Sequence, residues 1–485
     1  MKLLSILTAA LISISGLIQE HLPYGTSVGI LAVSATGDTL VSVRKDINFI
    51  PASNVKLITA GAALHQLGAG YRFETELACT GKVRDSVLLG DLYIIGNGDP
   101  TTASSHCGAA ADALFTQWAQ MLRDKGIKSI QGNIVGDGRA ITAPDHPEWE
   151  AGDLGFYYGV APGALNFYEN AQDFTVKPGT AIGKGIHITL VYPITPGMTY
   201  ISKAVTSPRG KGDQLLYECS GIVPTGIFKG YLASGLPLRT EKCINRYPEL
   251  TIATYFRQYL IDTGISVSGT ALDINDENLL RERPGKEGFE YAAEKTRLKT
   301  LGSSCSPSLK EILADCMRRS DNFYAEAVFQ AMGREMTGSI QADSCVKAET
   351  AILQTLGLDS GHIKLKDGCG MSRTNMISPD WMVSFLRSMA ASPLFPDFLE
   401  TLPHAGEGTL LNCLRNSSPA CRNRVRMKSG SMGGVLCYSG YILSPDGNPD
   451  KTVAFSIMIN SSPVPVRKLV TFTDNVICGL MEGGI

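Results

Sequence analysis

The sequence predicts an α+β protein with a β-rich middle, and three observations carry that prediction. Helical hydrophobic periodicity follows Pro51 and returns between Leu309 and Met389. Between them, residues 80–285 break into short β-type runs punctuated by Gly, Pro and Asn. Strand-like alternation then resumes before a last helix. Segregated runs of helix and strand, in place of regular βαβ alternation, are the mark of an α+β chain.

The elements follow in order. Ser27–Ser34 and Asp38–Val43 read as a hairpin about Ala35, Thr36 and Gly37. Val55, Leu57, Ile58, Ala62 and Leu64 then recur at helical intervals until Gly68 and Gly70, which puts Ser53 at a helix start. In the middle, Leu92–Ile95, Ile186–Tyr192 and Thr251–Tyr255 read as strands. Charged residues crowd Asn275–Arg297, where Arg281 to Gly285 make a surface linker. Helices are expected over Leu309–Met317, Ala325–Met336, Cys345–Leu356 and Pro379–Met389. Val425–Lys428, Cys437–Leu443 and Val453–Asn460 are strands, and Val466–Met481 closes the chain as a helix.

At about 150 residues per domain, 485 residues make roughly three domains. Lys+Arg 44 against Asp+Glu 46 gives a net charge of -2 with no like-charge run, which excludes a nucleic-acid partner. Hydrophobic content of 44% with 19% charged residues is ordinary globular usage. Met1 and Lys2 lead into the apolar run Leu3–Ile12 and then Ser13, Ser15 and Gly16, so residues 1–18 read as a secretory signal, too short for the about 20 residues of a membrane span. An exported protein of the periplasm or cell envelope is expected, soluble or in peripheral membrane association. Twelve cysteines include no Cys-x-x-Cys, and the histidines make no H-E-x-x-H, so neither metal nor cofactor is expected. Cys413 with Cys421 is one of several pairs that spacing allows to bridge, and free buried thiols fit equally well.

Three short patterns carry chemistry: Ser53-Asn54-Val55-Lys56, Ser320-Asp321-Asn322 and Lys428-Ser429-Gly430. S-x-x-K also occurs at Ser42 and Ser344, but Ser42 lies in a strand pattern, whereas Ser53 and Lys56 on a helix are neighbours one turn apart. The amine can then take the hydroxyl proton, with Lys428 as the cation that lowers its affinity for protons. A plain helix cap at Ser53 with a solvated Lys56 is the competing reading. Ser320 would relay the proton to the leaving amine, while Asn322 binds a substrate carbonyl and steadies Lys56. Lys428 falls on a strand, and Gly430 clears room for a peptide added along it. Ser429 and Ser431 would receive the peptide's terminal carboxylate, and the backbone N–H groups of Ser53 and Ser431 would form an oxyanion hole.

With these motifs in this order, the chain resembles the serine DD-peptidases, and more narrowly the D-alanyl-D-alanine carboxypeptidase/endopeptidase family, the class C low-molecular-mass penicillin-binding proteins. The likeness extends through Gly96-Asn97-Gly98-Asp99-Pro100, Gly136-Asp137-Gly138, Trp149 to Asn166, Asp367-Gly368-Cys369-Gly370-Met371-Ser372-Arg373 and Gly408-Thr409-Leu410. One departure is Ser429, where the family usually has threonine. The resemblance implies a β-lactamase/transpeptidase-like domain, an antiparallel sheet flanked by helices, over 19–79 and 286–485. One or more β-rich domains would be inserted at 80–285. It also implies peptidoglycan stem peptides as substrate, β-lactams as covalent inhibitors of Ser53, and Asp153 as a residue reaching toward the substrate side chain. A β-lactamase-like hydrolase and a non-catalytic peptidoglycan-binding protein are the alternatives.

Overall fold

The structure, a computed structural model, describes residues 14–104, 106–141, 146, 148–219, 223–274, 298–448 and 451–483. The chain divides into two compact units, one running to Tyr71 and resuming at Ser308, the other Arg72–Pro307.

The first unit is built on a five-stranded antiparallel sheet in the order Val425–Met432, Val435–Ile442, Val453–Asn460, Ser27–Ser34, Thr39–Val43. Every residue of Val435–Ile442 and Val453–Asn460 is buried, because the sheet is covered on both faces. On one face Ile30, Met427, Phe455 and Ile457 pack with Phe472, Val476 and Leu480 of the helix Val470–Gly483. Leu17 and Ile18 of a helix over 14–21 join this core, as does the buried Ile14. These three side chains fall within the segment 1–18 expected as a signal. Residues 1–13 of that expected segment lie outside the described residues.

The helix Val55–Leu67 is buried at ten successive positions, Val55 to Leu64. A helix apolar on every side belongs in a core. It packs against the helices Asn322–Thr337 and Ala342–Thr355, so its first turn is held from several directions.

Among its described residues the second unit carries four sheets and two long helices, Ala111–Asp124 and Pro248–Asp262. Strand Glu74–Cys79 pairs with Lys299–Cys305 in one of those sheets, so the unit boundaries fall at 71/72 and 307/308, where 79/80 and 285/286 were expected. The charged linker expected over Asn275–Arg297 lies outside the described residues. Thr251–Tyr255 is helical, not a strand. Its β-branched threonines turn their hydroxyls back onto the helix, Thr251 donating to Tyr247 O at 2.6 Å and Thr254 to Leu250 O at 2.7 Å. Ile252, Phe256 and Leu260 meanwhile form the buried face.

No disulfide links any of the twelve cysteines. Cys413 is buried and donates its thiol to Tyr438 Oη at 3.1 Å. Among the described residues no helix is long and apolar enough to cross a membrane.

The aromatic core of the second unit gives the first prediction. Trp118 is wholly buried against Phe115 and Phe256, and its indole N–H donates to Ser304 Oγ at 2.9 Å. Trp118→Ala leaves a cavity and an unpartnered hydroxyl, so urea unfolding should reveal a loss of about 3–5 kcal/mol.

Candidate active site

Ala52 sits at φ +47° and opens the short 3-10 turn Ala52–Asn54, which runs directly into the helix Val55–Leu67. This left-handed residue turns the chain sharply and leaves Ser53 at the helix entrance, only half-buried. Asn54 anchors the turn to the sheet, its side-chain amide donating to Lys428 O and Cys437 O, each at 3.3 Å. Gly430 and Gly370 allow the close approach. A Cβ on Gly430 would lie 2.6 Å from Pro51 O, and one on Gly370, itself at φ +88°, would lie 2.0 Å from Ala52 O.

Lys56, one turn after Ser53, is 1% exposed. Its ammonium donates to Ser53 Oγ at 3.0 Å, Asn322 Oδ1 at 2.7 Å and Cys369 O at 2.7 Å. Three donors meet three acceptors, so the buried amine is fully satisfied.

Asn322 opens the helix Asn322–Thr337, capped by Asp321, whose carboxylate accepts from Tyr324 N at 2.9 Å and pairs with Arg319 at 3.3 Å. Ser320 sits in the left-handed region at φ +59°, ending the helix Leu309–Arg319. That conformation presents its hydroxyl to Lys428 Nζ at 2.8 Å. Lys428 also donates to Ser429 O at 2.7 Å and is completely buried. Burial, and after it the charge of Lys56, hold the Lys428 ammonium well below the ordinary lysine range.

Ser53, Lys56, Ser320, Asn322 and Lys428 thus converge in the first unit as two hydrogen-bonded groups, Ser53-Lys56-Asn322 and Ser320-Lys428. Ser429 and Ser431 follow Lys428 on the same outer strand, and the Ser429 hydroxyl lies 2.7 Å from Thr409 Oγ1. Asp153 belongs to the second unit, in a turn where Phe156 N–H donates to its carbonyl at 3.1 Å and its carboxylate lies beside Tyr158.

A buried acidic group beneath Lys56 was missed. Glu326, Asp367 and Cys369 lie close enough together to ligate an ion. Their oxygens are already committed: Glu326 accepts from Gly368 N at 2.8 Å, and Asp367 from Gly370 N at 2.8 Å, Ser372 N at 2.6 Å and Asn375 Nδ2 at 2.9 Å. The pair works as a hydrogen-bond cradle for the loop that aims Cys369 O at Lys56. Asp367 to Arg373 stood out in the sequence as a motif, but residue type does not reveal that a backbone carbonyl will be the ligand. Burial, then the charge of Asp367, raises Glu326 to about 8, and burial raises Glu349, on the helix Ala342–Thr355, to about 8 as well.

An antiparallel sheet packed by helices, with a serine and lysine on one helix turn, defines a transpeptidase-like protein. A model of the D-Ala-D-Ala carboxypeptidase 3 (S13) family matches residues 12–473, and the chain belongs to that family. It is 28% identical to the D-alanyl-D-alanine carboxypeptidase of Actinomadura sp. (strain R39), over 93% of this chain and 81% of that one. The crystal structure of penicillin binding protein 4 (dacB) from Haemophilus influenzae matches with a TM-score of 0.78 at 25% identity, covering 96% of this chain and 99% of that one. A second structure of that protein, in complex with a β-lactam, matches with a TM-score of 0.74 at 24% identity over the same shares.

Glu349 makes stability depend on pH. Its folded carboxyl keeps a proton that the unfolded one loses near 4.5, so the folded state binds more protons up to about 8. Stability should fall as pH rises through that window. Glu349→Gln should flatten part of the slope in urea titrations run from pH 4 to 9.

Proposed function

We propose that this protein is a serine D-Ala-D-Ala carboxypeptidase or DD-endopeptidase of the cell envelope, acting on peptidoglycan stem peptides through an acyl-enzyme on Ser53. The observation that carries the reading is the Lys56 ammonium held between Ser53 Oγ at 3.0 Å and Asn322 Oδ1 at 2.7 Å.

In this reading the peptide lies along the outer strand, beside Ser429 to Ser431. Lys56, as the neutral amine, removes the Ser53 proton while Oγ attacks the carbonyl carbon of the penultimate D-alanine. Charge developing on the carbonyl oxygen is taken up by the backbone N–H groups of Ser53 and Ser431. The proton passes through Ser320, hydrogen-bonded to Lys428, to the nitrogen of the leaving D-alanine or cross-linking amine. The C–N bond breaks, and water then hydrolyses the ester to restore Ser53. Burial, and after it the charge of Lys56, hold the Lys428 ammonium below the ordinary lysine range, so Lys428 holds its proton loosely beside Ser320. Ser429 is proposed to receive the terminal carboxylate, and Asp153 to reach toward the substrate side chain.

β-Lactams would acylate Ser53 while their leaving group remains tethered, so the ester persists. Incubation with benzylpenicillin followed by intact-mass measurement should reveal one stable adduct, absent in Ser53→Ala. Rapid turnover without an adduct would mark a β-lactamase instead. Hydrolysis of an acyl-D-alanyl-D-alanine peptide should be lost in Ser53→Ala and fall at least about 100-fold in Lys56→Met, as expected for removal of a general base. Absence of wild-type hydrolysis would overturn the proposal.

A further inference from the structure

The edge of the outer strand Val425–Met432 is covered in part by residues 403–405. Ala405 N–H donates to Val425 O at 3.2 Å, and Met427 N–H donates to Pro403 O at 3.2 Å. Past Met427 the covering segment leaves through Gly406 and Gly408 and forms the turn Gly408–Leu410. That turn brings Thr409 Oγ1 to 2.7 Å from Ser429 Oγ.

Two contacts set its position. Gly408 adopts φ +50°, and a Cβ there would lie 2.1 Å from Arg318 O, so the turn is wedged against the helix end that presents Ser320. Leu410, wholly buried in the core beneath the sheet, holds the other end. Thr409 is thereby placed at the open edge, where it and Ser429 remain accessible.

We propose that Thr409 is a positioning residue that fixes the Ser429 hydroxyl for the substrate's terminal carboxylate. This rests on the role given to Ser429 above. A carboxylate only accepts hydrogen bonds, so Ser429 must donate to it, and the serine oxygen is then free to accept from Thr409. The chain Thr409 O–H to Ser429 O–H to carboxylate polarises in one direction, which strengthens the last link. The partner matters because Ser429 is a serine: its hydroxyl can occupy three staggered positions, whereas a threonine at that place would be restrained by its methyl. Thr409 supplies from the neighbouring loop the restraint that a β-branch would supply within the residue.

The test is steady-state hydrolysis of an acyl-D-alanyl-D-alanine peptide and of the same peptide ending in a carboxamide. The proteins compared are the wild type, Thr409→Val, Thr409→Ser, the double variant Thr409→Val with Ser429→Thr, and Ser53→Ala. Thr409→Val should raise KM for the carboxylate peptide about fivefold to tenfold with kcat little changed, the size of one oriented hydrogen bond. Its kcat/KM on the carboxamide, whose neutral oxygen is the weaker acceptor, should fall less than on the carboxylate peptide. Thr409→Ser should behave like the wild type, and Ser429→Thr added to Thr409→Val should restore KM. Equal losses on both peptides, no loss in Thr409→Val, or no restoration by Ser429→Thr would overturn the inference while leaving the proposed activity standing. A wild-type protein no more active than Ser53→Ala on either peptide would overturn both.

Discussion

Burial of the Lys56 ammonium is the constraint on which the first unit depends. An amine cut off from water must find every hydrogen-bond partner within the protein, or it costs several kcal/mol. Its partners come from the turn before its own helix, from the start of the helix Asn322–Thr337, and from the carbonyl of Cys369. These segments meet only because the helix Val55–Leu67 is buried on all sides and its entrance is tied to the sheet through Asn54.

A second buried lysine raises the electrostatic stakes. Lys428 lies close enough to Lys56 for the two charges to repel, and in the dry interior Lys428 gives up its proton far more readily than a solvated lysine. The Glu326 and Asp367 carboxylates lie under the same loop, and burial, then the charge of Asp367, raises the proton affinity of Glu326. The interior thus holds titratable groups of both signs whose protons are easily exchanged. Such an arrangement weakens a core in return for groups that can move a proton at neutral pH. Nearly full-length similarity to a carboxypeptidase of Actinomadura and to a Haemophilus penicillin binding protein fits a site with that property.

Much of this was legible from residue order. The hairpin Ser27–Ser34 with Thr39–Val43, the helix after Ser53, the helices between Leu309 and Ala391 and the last three strands all stand where periodicity put them. Local patterns failed where side chains could satisfy themselves in an unexpected way. Thr251 and Thr254 have β-favouring shapes, yet their hydroxyls find carbonyls four residues back inside a helix. The helix Ala111–Asp124 went unread within a segment of β texture.

By itself the sequence determined which residues could do chemistry and which of them were neighbours. One helical turn separates Ser53 from Lys56 whatever surrounds them, and a turn followed by a helix puts Ser320 and Asn322 at its entrance. The strand pattern about Ser42 already set that pair aside, but only tertiary structure decided that Lys56 would meet Asn322 as well as Ser53. It also decided that a backbone carbonyl, a loop threonine and two buried carboxylates would belong to the cluster. Distance, burial and the direction of a carbonyl are properties of packing between segments hundreds of residues apart, and no local preference encodes them.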